Sequence, residues 1–197
     1  MSSRSYHHRD LRKALIHAAR TAVETRGPDA VSLRDLAQSL NVSTAAPYRH
    51  FKDRAALLAE VAADGFEELG QAYALAQASN PDPKAAARET ARAYLGLAFQ
   101  QPGLFRLMFT SDILSTGAPQ RLVDAAASSW EGLHRSVAAT MPGADVSEIK
   151  RRTLTGWSTL YGFISLVQGG RIRAFMIEPL TEAELLEAVL DKALGAN

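Results

Sequence analysis

Helix breakers divide this chain into segments of helical period, and this pattern restricts the possible folds more than any other feature of the sequence. In the first segment, Leu11, Leu15, Ala18 and Ala22 recur at three- and four-residue spacing, which places them on one face of a helix. Glycine and proline end that segment and several later ones. Because alternating runs of β-branched residues are missing, we predict an all-α protein of about nine helices.

The segments between the breakers give the helix boundaries. The predicted helices cover residues 10–26, 33–40, 44–51, 53–80, 84–101, 104–110, 119–141, 147–168 and 181–195. Ser32, Asp53 and Thr181 precede three of them and are typical N-cap residues. Thr181 and Glu184 also have the spacing of a capping box, in which each side chain bonds the other residue's backbone N–H.

Charge is distributed unevenly along the chain. Residues 1–60 hold ten basic and six acidic residues, whereas the remaining 137 hold twelve basic and fifteen acidic ones. A basic N-terminal part on an acidic body indicates that the N-terminal part meets a polyanion. The sequence has no cysteine, no membrane-length apolar run and no apolar leader. We therefore expect a cytoplasmic protein that needs neither membrane nor cofactor.

Two short predicted helices, 33–40 and 44–51, are separated by only three residues. This arrangement is typical of a helix-turn-helix, whose second helix enters the major groove of double-stranded DNA. Such short helices need support from the first predicted helix and from the start of the fourth. We therefore divide the chain into a DNA-binding domain, residues 1–53, and a helical ligand-binding and dimerisation domain, residues 54–197.

Small and polar residues on the second short helix are suited to contact DNA. Thr44 and Ala45 can approach base edges, while Tyr48, His50 and Lys52 can reach phosphate oxygens. The full set of predicted DNA-binding residues is Ser32, Arg34, Ser43, Thr44, Ala45, Pro47, Tyr48, Arg49, His50 and Lys52. Further basic residues that either contact phosphate or form a solvated face are Arg4, Arg9, Arg12 and Lys13. For the group His7, His8 and Asp10, a terminal tail is favoured over a metal site.

The stretch from Val31 to Ala59 resembles the DNA-binding module of the TetR family of regulators. Tyr48, His50, Phe51 and Leu57 fall in register with the family pattern. Three positions depart from it: Asn41 replaces the usual turn glycine, Pro47 replaces an apolar residue, and Arg54 replaces a lysine. The resemblance implies a homodimer on a palindromic operator, released by a small-molecule effector.

The C-terminal body resembles the TetR subgroup whose domain is named for a Trp-His-Gly motif. The similarity lies in residues 80–83, Tyr94, residues 102–109 and residues 157–162, with Tyr161 where that subgroup has histidine. The family implies that the last two long helices of each subunit form a four-helix bundle. The predicted dimer interface contains Leu160, Phe163, Ile164, Val167, Leu185, Leu186, Val189 and Leu190.

Aromatic and polarisable residues in the body either form plain core or line a pocket for an effector. As a group they fit a cavity with apolar walls and a few polar side chains. The predicted pocket residues are Tyr94, Phe99, Phe105, Met108, Phe109, Trp130, His134, Trp157 and Tyr161.

Three functions are consistent with a helical chain of this kind. The favoured one is a DNA-binding regulator, most often a repressor in such families. The others are a partner- or ligand-binding protein whose N-terminal part is only structural, and a small helical enzyme. The sequence contains no glycine-rich phosphate loop, no HExxH and no Gly-x-Ser-x-Gly motif, so no residue is proposed as catalytic.

Overall fold

The computed structural model describes residues 3–195, with side chains from Leu11 onward. In this part of the chain there are nine α-helices: α1 (Ser3–Arg26), α2 (Leu33–Ser39), α3 (Arg54–Ser79), α4 (Pro83–Gln100), α5 (Pro102–Phe109), α6 (Gln120–Ala139), α7 (Val146–Gln168), α8 (Ala174–Ile177) and α9 (Glu182–Leu194). Three short 3₁₀ helices cover Pro28–Ala30, Pro47–Arg49 and Asp112–Leu114. No β-strand occurs among the described residues, and the predicted all-α class is confirmed.

Two elements differ from the predicted set. Residues 44–51 do not form the predicted α-helix, because only Pro47–Arg49 is helical and its geometry is 3₁₀. Pro47 has no backbone N–H to donate to Ser43. The turn contains two bonds that span three residues, from Arg49 N to Ala46 O (3.2 Å) and from His50 N to Pro47 O (2.9 Å), and it ends with one that spans four, from Phe51 N to Pro47 O (3.0 Å). The short helix α8, Ala174–Ile177, was not predicted at all.

The predicted N-caps are confirmed. Ser32 accepts a hydrogen bond from Asp35 N at 3.4 Å, and the Asp53 carboxylate accepts one from Ala56 N at 2.8 Å. Thr181 and Glu184 form the full capping box, with both reciprocal bonds present. An N-cap depends on only a few neighbouring residues, so its position can be predicted from the sequence.

The described chain divides into two compact units. The first contains the residues up to Glu68 together with Gln100–Ala127, and the second contains Leu69–Phe99 together with the residues from Ser128 onward. Helices α3 and α6 each contribute to both units. The predicted domain boundary after residue 53 is a different division of the chain, and it stays a prediction.

In the first unit, α5 packs closely against α1. A Cβ atom added at Gly103 would lie 2.3 Å from the carbonyl oxygen of Val23, so this contact requires glycine. The Glu24 carboxylate of α1 accepts hydrogen bonds from Gly103 N (3.1 Å) and Leu104 N (2.7 Å). These are N–H groups of the first turn of α5, which have no partner within their own helix. Glu24 therefore caps α5 from outside that helix.

The core of the second unit joins α4, α7 and α9. Leu160 and Ile164 of α7 and Leu190 of α9 are almost fully buried. A Cβ atom at Gly156 would lie 2.5 Å from the carbonyl oxygen of Ala193, so α7 and α9 are in close backbone contact. Arg88 on α4 binds Asp191 on α9 at 2.6 Å and also binds Glu187.

None of the described helices has both the length and the apolar character needed to cross a membrane.

We predict that Glu24→Gln destabilises the protein by about 1–2 kcal/mol. The amide removes the negative charge from the positive end of α5 and presents only one acceptor atom to two N–H groups. Urea denaturation followed by circular dichroism measures the change in the free energy of unfolding.

Glu131→Gln is the matched control for this substitution. Glu131 is exposed on α6 and makes no hydrogen bond or ion pair within the described chain. An equal loss of stability in both variants would show that Glu24 has no special role at α5.

Candidate DNA-binding surface and ligand cavity

The residues predicted to face DNA lie mostly in the segment between α2 and α3. Ser43, Thr44, Ala45 and Arg49 are exposed, and Tyr48 is 58% exposed, which is unusual for a large aromatic side chain. The other predicted contacts divide into the exposed Arg34 and Lys52 and the half-buried Ser32 and His50. The segment thus presents hydroxyl, methyl and cationic groups to solvent within a few residues of one another.

Pro47 is the exception in this set. Its side chain is buried, so it supports the segment from beneath and is not placed to contact a base. Phe51, which follows, is also buried. These two apolar side chains fix the segment on its inner side and leave the polar residues between them outside.

The turn that precedes this segment depends on Asn41. Its φ angle is 53°, the only positive φ among the described non-glycine residues. The left-handed conformation lets Asn41 N donate to Gln38 O (3.1 Å) and Val42 N donate to Ala37 O (3.0 Å), which closes α2. Asparagine adopts this conformation more readily than most residues, so it performs the function of the family's usual glycine.

Arg12 makes contacts within the protein. Its guanidinium forms an ion pair with Glu60 of α3 at 2.7 Å and lies 5.4 Å from the centre of the Phe51 ring. Arg12 therefore connects α1 to α3 and to the base of the exposed segment. Lys13 is exposed, and the side chains of Arg4, Arg9, His7, His8 and Asp10 lie outside the described residues.

The second unit contains a cavity of about 470 Å³ between α4, α6, α7 and α9. Its walls are mainly apolar, and Leu160 of α7 forms part of them. Tyr94 and Trp157 form an aromatic wall, in which Trp157 Nε1 donates a hydrogen bond to the Tyr94 hydroxyl at 2.9 Å. Burial raises the pKa of Tyr94, so the phenol is neutral at physiological pH.

Hydroxyl groups hold the helices around this cavity. The buried Ser136 hydroxyl donates to Thr90 Oγ1 at 3.0 Å, and Thr90 donates to the carbonyl oxygen of Ala86 at 2.9 Å. His134 Nδ1 lies 3.1 Å from Thr153 Oγ1. These bonds tie α6 to both α4 and α7, so the cavity has walls fixed by polar contacts as well as by packing.

Only two of the nine predicted pocket residues, Tyr94 and Trp157, line this cavity. Phe105, Met108 and Phe109 belong to the first unit; the first two are buried there, and Phe109 packs edge-on against Phe66 with ring centres 5.3 Å apart. They are therefore packing residues, because the hydrophobic face of α5 is directed into its own unit.

The other four predicted pocket residues lie in the second unit but outside the cavity lining. Trp130 stacks on His134 with ring centres 6.2 Å apart, and the ring centres of Tyr161 and Trp157 are 6.4 Å apart. Phe99 is 42% exposed and contacts Phe163 edge-on. They surround Trp157 or lie on the outer surface of α4, and their role in ligand binding stays a prediction.

Sequence analysis missed the cations that line the cavity. Lys84 and Arg88 lie one turn apart on α4, and Arg152 lies near the start of α7. A signal was available, because Lys84, Arg88 and Tyr94 share one face of a predicted helix, as do Arg152 and Gly156. The predicted pocket set contained aromatic residues and no cations, because aromatic residues are rarer and lysine and arginine are typical of the surface.

Three residues of the predicted dimer interface are instead internal. Leu160, Ile164 and Leu190 are buried within the subunit, so they have no surface to offer to a partner. The remaining members are the half-buried Phe163, Leu185, Leu186 and Val189, and the exposed Val167. Large exposed apolar residues that the prediction omitted are Leu154, Leu166, Phe175, Met176 and Leu180.

Comparison with protein families and solved structures identifies the class. Residues 15–61 match the family described as bacterial regulatory proteins, tetR family, and residues 87–193 match the tetracyclin repressor-like C-terminal domain. The second match covers more than half of the chain. The chain therefore belongs to the TetR family of DNA-binding transcriptional regulators.

Solved structures share the fold of this chain. A protein of unknown function from Rhodococcus sp. RHA1 is 31% identical, covers 98% of both chains and has a TM-score of 0.79. PfmR, a TetR family transcriptional regulator from Thermus thermophilus, is 23% identical over 92% of this chain and 97% of its own, with a TM-score of 0.64. RolR in complex with resorcinol is 19% identical over 98% and 89%, with a TM-score of 0.61. No curated protein sequence matched the chain.

We predict that Asn41→Ala destabilises the protein by about 1 kcal/mol, because alanine is strained at a φ of 53°. Asn41→Gly is the matched control and should be as stable as the native protein, since glycine adopts positive φ without strain. Thermal unfolding of the three proteins measures the difference. Equal stabilities for alanine and glycine at this position would contradict the role of the left-handed turn.

Proposed function

We propose that this regulator is a homodimeric repressor that binds a palindromic operator and is released by a small-molecule effector. The observation that carries the proposal is the exposed segment 43–49, anchored from beneath by Pro47 and Phe51. No described residue of the first unit covers the exposed side chains of this segment, and its polar groups are those that bind phosphates and base edges.

The predicted base contacts are Thr44 and Ala45. Both are small and exposed, so the backbone of the segment can approach the floor of the major groove. Tyr48, Arg49 and Lys52 surround them with donors suited to phosphate oxygens. Lys52 precedes the N-terminus of α3, where backbone N–H groups also favour an anion.

The proposed dimer uses the outer surface of α7 and α8. Leu166 and Val167 are 45% and 37% exposed, and Phe175 of α8 is 76% exposed. An apolar surface of this kind is unfavourable in water unless a partner covers it. A twofold axis through it would present two copies of segment 43–49 about 34–36 Å apart, the spacing of successive major grooves.

The proposed effector site is the cavity of the second unit. Its size falls within the usual range for small-molecule pockets. The resorcinol complex of RolR indicates that a related fold can hold a small ligand. Helix α3 belongs to both units, so it is the covalent route by which effector binding would reach the DNA-binding segment. Membership of the Trp-His-Gly subgroup stays a prediction.

We predict that Tyr48→Ala and Lys52→Ala weaken binding to operator and to random DNA alike. Each removes a phosphate contact, so Lys52→Ala should also reduce the slope of log affinity against log salt by about one. Thr44→Val should instead change the preference among operator sequences. Fluorescence anisotropy with operator from the chain's own upstream region, over a salt titration, measures both effects.

Lys192→Ala is the control for these variants, since Lys192 is exposed on α9 of the second unit. If Tyr48→Ala and Lys52→Ala bound operator as tightly as the Lys192 variant across the whole titration, the docking surface would be wrong. The N-terminal part would then be only structural.

We predict that Phe175→Asp weakens the dimer by about 30-fold or more, because a buried interface aromatic contributes about 2 kcal/mol or more. Leu75→Asp is the control, since Leu75 is also an exposed apolar residue but lies on α3. Sedimentation equilibrium measures the dissociation constants. Equal dimer stability in the two variants would exclude α8 from the interface.

A further inference from the structure

We propose that the cavity of the second unit binds an amphipathic organic anion, with an apolar body and one negatively charged head. The inference rests on the proposed function, in which this cavity is the effector site. It adds the chemical class of the effector, and it is argued from the charges that line the cavity.

The cavity lining carries positive charge without negative charge. Lys84, Arg88 and Arg152 all contribute to the lining, and no aspartate or glutamate does so within the described part of the chain. A cavity that served a neutral ligand would have no need of three cations, because each loses favourable hydration when a ligand covers it. The imbalance therefore points to an anionic ligand group.

Arg88 is neutralised by residues behind the cavity wall. It binds Asp191 at 2.6 Å and also binds Glu187, and Arg92 binds Glu187 at 2.9 Å. The hydrogen bond from Arg88 lowers the pKa of Glu187, so that carboxylate is ionised at neutral pH. Arg88 is consequently held in place and contributes little net charge to the cavity.

Lys84 and Arg152 are not neutralised in this way. Neither side chain forms an ion pair or a hydrogen bond with any residue from 11 to 195. Lys84 is exposed, whereas Arg152 is half-buried. A half-buried guanidinium with five N–H donors and no acceptor among residues 11–195 is a suitable partner for a carboxylate or a sulfonate.

The cations meet the same end of α9. Arg88 binds Asp191, and Arg152 lies against Gly195, one turn further along. A Cβ atom at Gly195 would lie 1.5 Å from an Arg152 nitrogen, so the guanidinium packs directly against the backbone of Gly195. An alternative role for Arg152 is simply to balance the partial negative charge at the C-terminal end of α9. However, it makes no hydrogen bond to the carbonyl groups of α9 among the described residues, so a charge balance at the helix end leaves its donors without an acceptor in that part of the chain.

Apolar walls occupy the rest of the cavity. Trp157, Leu160, Leu133, Val137 and Ala91 contribute carbon surface, and the aromatic ring of Trp157 provides a flat face. Burying such walls favours a hydrophobic body, so an inorganic anion alone would not satisfy this site. The two requirements together define an apolar molecule that ends in an anionic group.

A matched pair of fluorescent probes tests the inference. The anion 1-anilinonaphthalene-8-sulfonate and the neutral N-phenyl-1-naphthylamine share the same rings and differ only by the sulfonate. The full-length protein should bind the anion about tenfold or more tightly than the neutral probe, the change that one charged hydrogen bond produces. Titration of each probe, with fluorescence as the readout, gives the two dissociation constants.

Four variants assign the effect to the cavity. Arg152→Gln should weaken binding of the anionic probe by about tenfold and leave the neutral probe unchanged, and Lys84→Gln should act in the same direction. Arg151→Gln is the matched control, because Arg151 is adjacent, exposed and outside the cavity lining. Val137→Phe fills the apolar wall and should weaken both probes. Circular dichroism confirms that each variant is folded.

Three results would overturn the inference: equal affinities for the two probes, equal effects of Arg151→Gln and Arg152→Gln, or no binding of either probe to the native protein. None of them bears on DNA binding. The proposed function fails separately, if the native protein does not bind its operator in the anisotropy experiment, so the two failures are distinguishable.

Discussion

The contact between α1 and α5 is the constraint on which the first unit depends. Glu24 satisfies two N–H groups of α5, and Gly103 lets the helix approach the carbonyl oxygen of Val23. With α5 fixed in this way, Leu104 and Met108 reach Gly65 on α3, where a side chain would meet their atoms at 2.6–3.2 Å. The positions of α1, α3 and α5 thus depend on one another. The exposed segment 43–49 connects α2 to α3.

Electrostatic contacts reinforce the same arrangement. Arg121 binds Glu60, Asp64 and Glu67 along one face of α3, and Arg12 shares Glu60 from α1. Each pair is partly exposed, and isolated surface pairs contribute little to stability. As a network they favour one register of α3 against its neighbours. Arg12 therefore has a structural function, and its contact with phosphate stays a prediction.

Features that depend on residues close in sequence were predicted correctly, whereas features that depend on helix packing were not. The caps Ser32, Asp53 and Thr181 depend on residues three positions away, and all three were predicted correctly. The roles of Phe105 and Leu160 depend on which helix lies opposite, and no spacing within a helix reveals this. Arg152 was missed for another reason: its spacing to Gly156 indicates a shared helix face, but the charge of a residue gives no indication of the partners it lacks.

The 3₁₀ geometry at Pro47–Arg49 affects which side chains of the segment would meet the base pairs of an operator. Side chains three residues apart are aligned in a 3₁₀ helix, whereas an α-helix aligns those three and four apart on a broader face. This 3₁₀ turn covers only three residues, so the exposed Tyr48 and Arg49 do not share a continuous α-helical face with Thr44 and Ala45. If segment 43–49 docks on DNA as proposed, each side chain has to be assigned to a base pair from this geometry and not from that of an α-helix.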